Sequence, residues 1–162
     1  MIRFVLVASL LIGCRISLEN AADAPSGGDG GTCTISTTAP CVAATTHSDL
    51  AWIEQNIFTA SCTFSGCHDS PTDLGKLDLR TGMSHASLVG TMSKIEMTRM
   101  LVVPNNVQAS YLMLMLHDFD PAMASPPGTM PGVGYMPQGA PELCCQKLQA
   151  VERWIMAGAP AN

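Results

Sequence analysis

Seven cysteines in four separated places constrain this chain more than any other feature. Cys14 closes an apolar N-terminal run, and Cys33 and Cys41 follow within a Gly/Ser/Thr-rich stretch. Cys62 and Cys67 bracket a four-residue spacer with His68 directly after the second thiol, and Cys144 and Cys145 are adjacent. So many thiols in 162 residues fit an oxidising compartment, or attachment of a prosthetic group, better than the cytosol.

The N-terminus supports export. Arg3 forms a short basic region and Phe4 to Ile12 an apolar one. That run is far shorter than the ~20 apolar residues needed to span a bilayer, but it has the length of a signal-peptide core. Its end, Leu11-Ile12-Gly13-Cys14, resembles the lipobox of bacterial lipoproteins. The resemblance implies a signal peptide over 1–13, acylation of Cys14 and anchoring to a bacterial membrane. The residue after Cys14 is Arg15 rather than Asp, which favours the outer membrane, facing the periplasm or the cell surface. Residues 14–46 have the composition of a flexible tether, although Cys33 and Cys41 can pin its second half.

Residues 47–162 carry the signals of one small helical domain. Ser48 and Asp49 open a helix in which Leu50, Ile53 and Ile57 recur at helical spacing, leading into Cys62. Leu77 and Leu79 alternate with polar neighbours, predicting a short extended piece. Short helices are expected around 87–92 and Glu96. Ser110 is expected to cap the apolar segment YLMLMLH, a short buried helix in which Met113 and Met115 serve packing. Asp118 to Pro141 is a long Pro-rich loop of the kind that serves binding. Pro141 and Glu142 suit the first turn of a last helix, with Cys144, Leu148, Val151 and Ile155 on one face and Gly158 placed to end it.

The chemistry concentrates in Cys62-Thr63-Phe64-Ser65-Gly66-Cys67-His68. Covalent attachment of a c-type haem needs two thiols to add to two vinyl groups, and an imidazole on the iron. The usual spacer between the thiols has two residues. Here there are four, and Gly66 supplies a permissive backbone for the extra pair to bulge outward. Taken without context, the same residues could form a Cys62–Cys67 disulfide beside a surface histidine.

The order of the flanking segments resembles monohaem cytochrome-c-like domains of exported bacterial lipoproteins. Ile57 to His68 looks like the haem-binding segment, Val102 to Leu112 like the middle segment, Gly134 to Leu143 like the distal-ligand loop, and RWIMAGAP (153–160) like the closing helix. The resemblance covers about residues 48–160. It implies a small all-α cytochrome-c-like fold with long Pro/Gly-rich loops. It also implies one haem c attached through Cys62 and Cys67, with His68 and Met136 as the axial iron ligands. Thioether opposite imidazole raises the potential and fills both axial positions, so the implied role is electron carrier to redox partner proteins, not enzyme. Met130 also precedes a proline and is the main rival for the distal position; His117 and His85 are weaker candidates.

Four cysteines then remain. Neighbouring Cα atoms lie only about 3.8 Å apart, below the usual disulfide range, so Cys144 and Cys145 should not bond each other. Cys33 and Cys41 are each expected to pair with one of them. The net charge of −5 and the absence of a Lys/Arg cluster argue against nucleic-acid binding. A different role is open to a chain with Met123, Met130 and Met136 in one loop: soft thioethers and thiols bind Cu(I), in a haem-free copper-binding or structural surface lipoprotein.

Overall fold

The computed structural model describes residues 33–64, 66–72 and 76–161. The expected signal peptide, Cys14 and the first half of the expected tether lie outside the described residues. Within them the protein is helical and has no strands. The helices are α1 (Ala39–Ala44), α2 (Leu50–Ile53), α3 (Thr59–Ser61), α4 (Ser84–Leu88), α5 (Tyr111–Met115) and α6 (Cys145–Met156). β-Pairing among these residues is confined to isolated bridges: Val89 with Val102, Met92 with Met100, and Val103 with Asn106.

α2 and α3 form one continuous helical run joined by a π-wound segment, Glu54–Phe58. Asp49, rather than Ser48, caps it: its carboxylate accepts the Trp52 N–H at 2.9 Å. A π-turn inserts one residue per turn and is found mostly near functional sites. Here it rotates the last turn of the run, which ends at Cys62. Glu54, inside the π-turn, is buried. Its carboxylate accepts the Gly82 N–H at 3.0 Å and the Ser84 hydroxyl at 2.6 Å, which fixes the start of α4 against this run.

The core is built on α6. Trp154, Leu148, Val151 and Ile155 pack with Ile53, Ile57, Phe58, Leu88, Met113 and Leu114, all essentially inaccessible. Gly158 takes φ +93 and lets the chain turn back at the end of α6, where the Ala159 N–H reaches the Trp154 carbonyl at 2.9 Å.

The N-terminal edge runs along the same helix. Cys33 bonds Cys145 and Cys41 bonds Cys144, the crossed arrangement that keeps the adjacent pair from bonding itself. Between them the Gln146 side chain exchanges hydrogen bonds with the Ser36 backbone, at 2.6 and 3.2 Å. Farther along, Arg153 donates to the carbonyls of Ala44 and His47.

Three local expectations give way to side-chain and covalent constraints. α6 begins at Cys145 rather than at Pro141, because Cys144 stays extended (φ −66, ψ 153) and aims its sulfur at Cys41 while Cys145 reaches Cys33. No helix forms around Glu96. Instead the Ser93 hydroxyl takes the amides of Ile95 and Glu96, and the Ser93 N–H pairs with the Arg99 carbonyl, a side-chain turn that outcompetes the helix. Ser110 precedes α5 without capping it. Its hydroxyl accepts the Val103 N–H and donates to the Asn106 carbonyl at 2.7 Å.

Candidate cofactor site

An apolar cavity of about 290 Å³ opens between α3, α5 and the Pro-rich loop. That volume is near the lower end of the ~300–1,000 Å³ typical of small-molecule and cofactor sites. Two helical faces form facing walls with the same arithmetic. Ile57, Phe58, Ser61 and Cys62 come from the α2–α3 run, and Tyr111, Leu112, Met115 and Leu116 from α5 and its end. Each set is i, i+1, i+4, i+5, a single helical stripe. Leu77 and Leu79, two apart on an extended stretch, both reach the cavity, as residues of period 2 must.

Cys67 and His68 lie on the same wall as Cys62, and Met136 lines the cavity from the Pro-rich loop. The segment from Cys62 to His68 closes on itself: the His68 N–H donates to the Cys62 carbonyl at 3.2 Å and the Cys67 N–H to the Phe64 carbonyl at 2.8 Å. Gly66 sits at the apex with φ +80, and a side chain there would meet only open space. Cys62, Cys67 and His68 all line the cavity, and so does Phe64 from within the spacer. The Leu79 N–H donates to the His68 carbonyl at 2.9 Å, pinning the segment from the other side.

Cys62 and Cys67 are unbonded thiols, whereas Cys33, Cys41, Cys144 and Cys145 are all in disulfides. Burial pushes the Cys62 thiol up to about 12, and the nearby Lys147 ammonium offsets this only in part. The Lys147 ammonium is itself half-buried, lowered by that burial, and donates to the Asn56 carbonyl at 2.9 Å. Cys62 is thus a neutral thiol near pH 7. It is not a thiolate nucleophile there, and it keeps the S–H that addition to a vinyl group requires.

The candidates for the distal position separate. Met136 is half-buried, packs on the core and lines the cavity. Met130 is 59% exposed and Met123 44% exposed, and neither reaches the cavity. His85 spends Nε2 on the Ala159 carbonyl at 3.0 Å. His117 stacks on Tyr135 and approaches Glu142 at 3.5 Å. A second thioether that the sequence assigned to packing, Met115, also lines the cavity. The stripe it shares with Tyr111 and Leu112 is the signal that could have found it. Further polar residues join the wall: Ser93, Lys94, Gln138 and Tyr111, whose phenol burial raises above its ordinary value.

Compared with known proteins, the chain matches no family model, no curated protein and no solved structure.

Proposed function

We propose that this chain is an exported electron carrier of the cytochrome-c-like kind, holding one covalent c-type haem. Cys62 and Cys67 would supply the thioether links, and His68 and Met136 the axial ligands. One observation carries the reading. Two unbonded thiols, an imidazole and a thioether line the same apolar cavity, while every other described cysteine is in a disulfide.

The donor set fits that group. Each thiol adds its S and H across one vinyl double bond, which needs no oxidant. Imidazole and thioether are an established axial pair. When bound, the group supplies one-electron iron chemistry; the protein supplies binding, orientation and potential tuning. The apolar walls from α3 and α5 exclude water and hold the ligands in place. The lipobox-like Leu11 to Cys14 supports acylation of Cys14 and membrane attachment, with residues 15–32 as spacer. Redox proteins are then the partners.

The test is a pyridine haemochrome spectrum and intact mass of protein produced with a c-type maturation system. A c-type spectrum together with a mass increase of one haem supports the proposal. A colourless protein without a porphyrin adduct defeats it, and copper in that material would favour the Cu(I) role.

A further inference from the structure

We propose that the stacked pair His117 and Tyr135 is a positioning clamp that seats the Met136 loop over the cavity; this rests on Met136 being an iron ligand. The two rings lie 3.8 Å apart between centroids and only 12° from parallel. His117 sits two residues past α5, in the left-handed region at φ +58. Histidine is among the few non-glycine residues enriched in that region. Its N–H donates to the Leu114 carbonyl at 3.1 Å, so the ring is carried by the end of a buried helix. Tyr135 immediately precedes Met136, whose own N–H donates to the Met115 carbonyl at 2.7 Å.

The loop is therefore tied to α5 at consecutive residues, by a ring stack at 135 and a backbone bond at 136. Farther back the loop is held by the Ser125 N–H on the Gln108 carbonyl at 2.8 Å and by Arg99 on the Pro126 carbonyl, but the other bonds beside Met136 are internal. The Gly134 N–H donates to the Pro131 carbonyl at 2.8 Å, and the Gln138 amide donates to the Val133 carbonyl. Those bonds set the shape of the loop but not its place over the cavity. Glu142, 3.5 Å from His117 Nδ1, approaches the imidazole from the far end of the same loop. A thioether is a weak ligand, so its residence on iron depends on how firmly its backbone is held.

The experiment uses haem-loaded wild type, Tyr135→Ala, His117→Ala, Tyr135→Phe and Met136→Ala. It reads CO binding by the ferrous protein and hydrogen exchange at the Met136 amide. Tyr135→Ala and His117→Ala should each raise apparent CO affinity by roughly tenfold, the upper end of what one aromatic pair supplies. Both should also speed exchange at Met136, and Tyr135→Phe, which keeps the ring, should match wild type on both measures. Wild-type behaviour in both alanine variants overturns the clamp, as does a Phe variant as loose as the Ala one. If wild type takes CO as readily as Met136→Ala does, Met136 is not a ligand and the clamp falls with it.

Discussion

The backbone N–H of Met136 donates to the carbonyl of Met115 at 2.7 Å, and both residues line the same cavity. Two thioethers 21 positions apart in the chain thus sit on hydrogen-bonded backbone, one at the end of α5 and one on a loop. In haem-loaded protein, Met136→Ala should let the ferrous form bind CO and should lower the reduction potential. Met115→Ala should instead cost roughly 2–5 kcal/mol of stability, as deletions of a buried Met do, and should still exclude CO. Met130→Ala, at an exposed position, should stay within about 0.5 kcal/mol of wild type. CO titration alongside urea melts checks all three, and CO uptake by Met115→Ala alone would exchange the roles of the two sulfurs.

The buried Cys62 thiol gives a prediction for protein made without haem. Alkylation by iodoacetamide follows the thiolate fraction. With Cys14 and Cys67 both replaced by Ala, so that Cys62 is the one unbonded thiol left, the rate in folded protein should rise about tenfold per pH unit from pH 8 toward the raised value of about 12. In urea it should level off near the ordinary cysteine value of about 8.5. A folded-state rate that also levels near 8.5 would mean that Cys62 is open to water.

Much of the fold and site was legible where periodicity or covalent geometry dictates the outcome. Leu50, Ile53 and Ile57 mark the helix leading to Cys62. The adjacency of Cys144 and Cys145 forces their bonds elsewhere. Gly158 ends α6. The grouping of Cys62, Cys67 and His68 with Met136 follows the order of segments in the sequence. Local strings failed where distant partners decide. The π-turn at Glu54–Phe58 depends on a carboxylate finding Gly82 and Ser84, about thirty residues away. The Ser93 turn replaces a helix through one hydroxyl. Met115 looked like filler because alternating Leu and Met in YLMLMLH hide which side faces a cavity rather than the core.

The two disulfides span sequence separations of 112 and 103 and enclose nearly the same loop. One bridge of that length restricts the unfolded chain by up to about 4.7 kcal/mol in the chain-entropy description. Once it is closed, the second closes only the short remaining segments and adds less. Replacing the pair Cys41 and Cys144 by alanine should therefore cost less than the full amount, about 2.7 kcal/mol in that description. Removing both bridges should cost about 7.4 kcal/mol, more than twice that. Urea melts of the single-bridge and bridge-free proteins measure this non-additivity, and equal, additive losses would contradict it.

Asp118 and Glu152 set the pH dependence of stability. Asp118 follows His117 and is buried; Glu152 lies on α6. Burial, then the neighbouring Glu152 charge, raises Asp118 to about 8, so it remains protonated at neutral pH and donates to the Glu152 carboxylate. The folded state then holds a proton that the unfolded chain releases near the ordinary Asp value of about 3.9. Because the native state binds more protons over this window, the contribution is complete below about pH 4 and declines as pH rises to about 8. The slope is at most ~1.4 kcal/mol per pH unit for one proton. Asp118→Asn keeps a neutral donor toward Glu152 and removes the titration. Urea midpoints between pH 5 and 8 should therefore fall in wild type and fall less in the variant, with the variant the more stable of the two at pH 8. Parallel curves would show that the pair carries no shared proton in the folded protein.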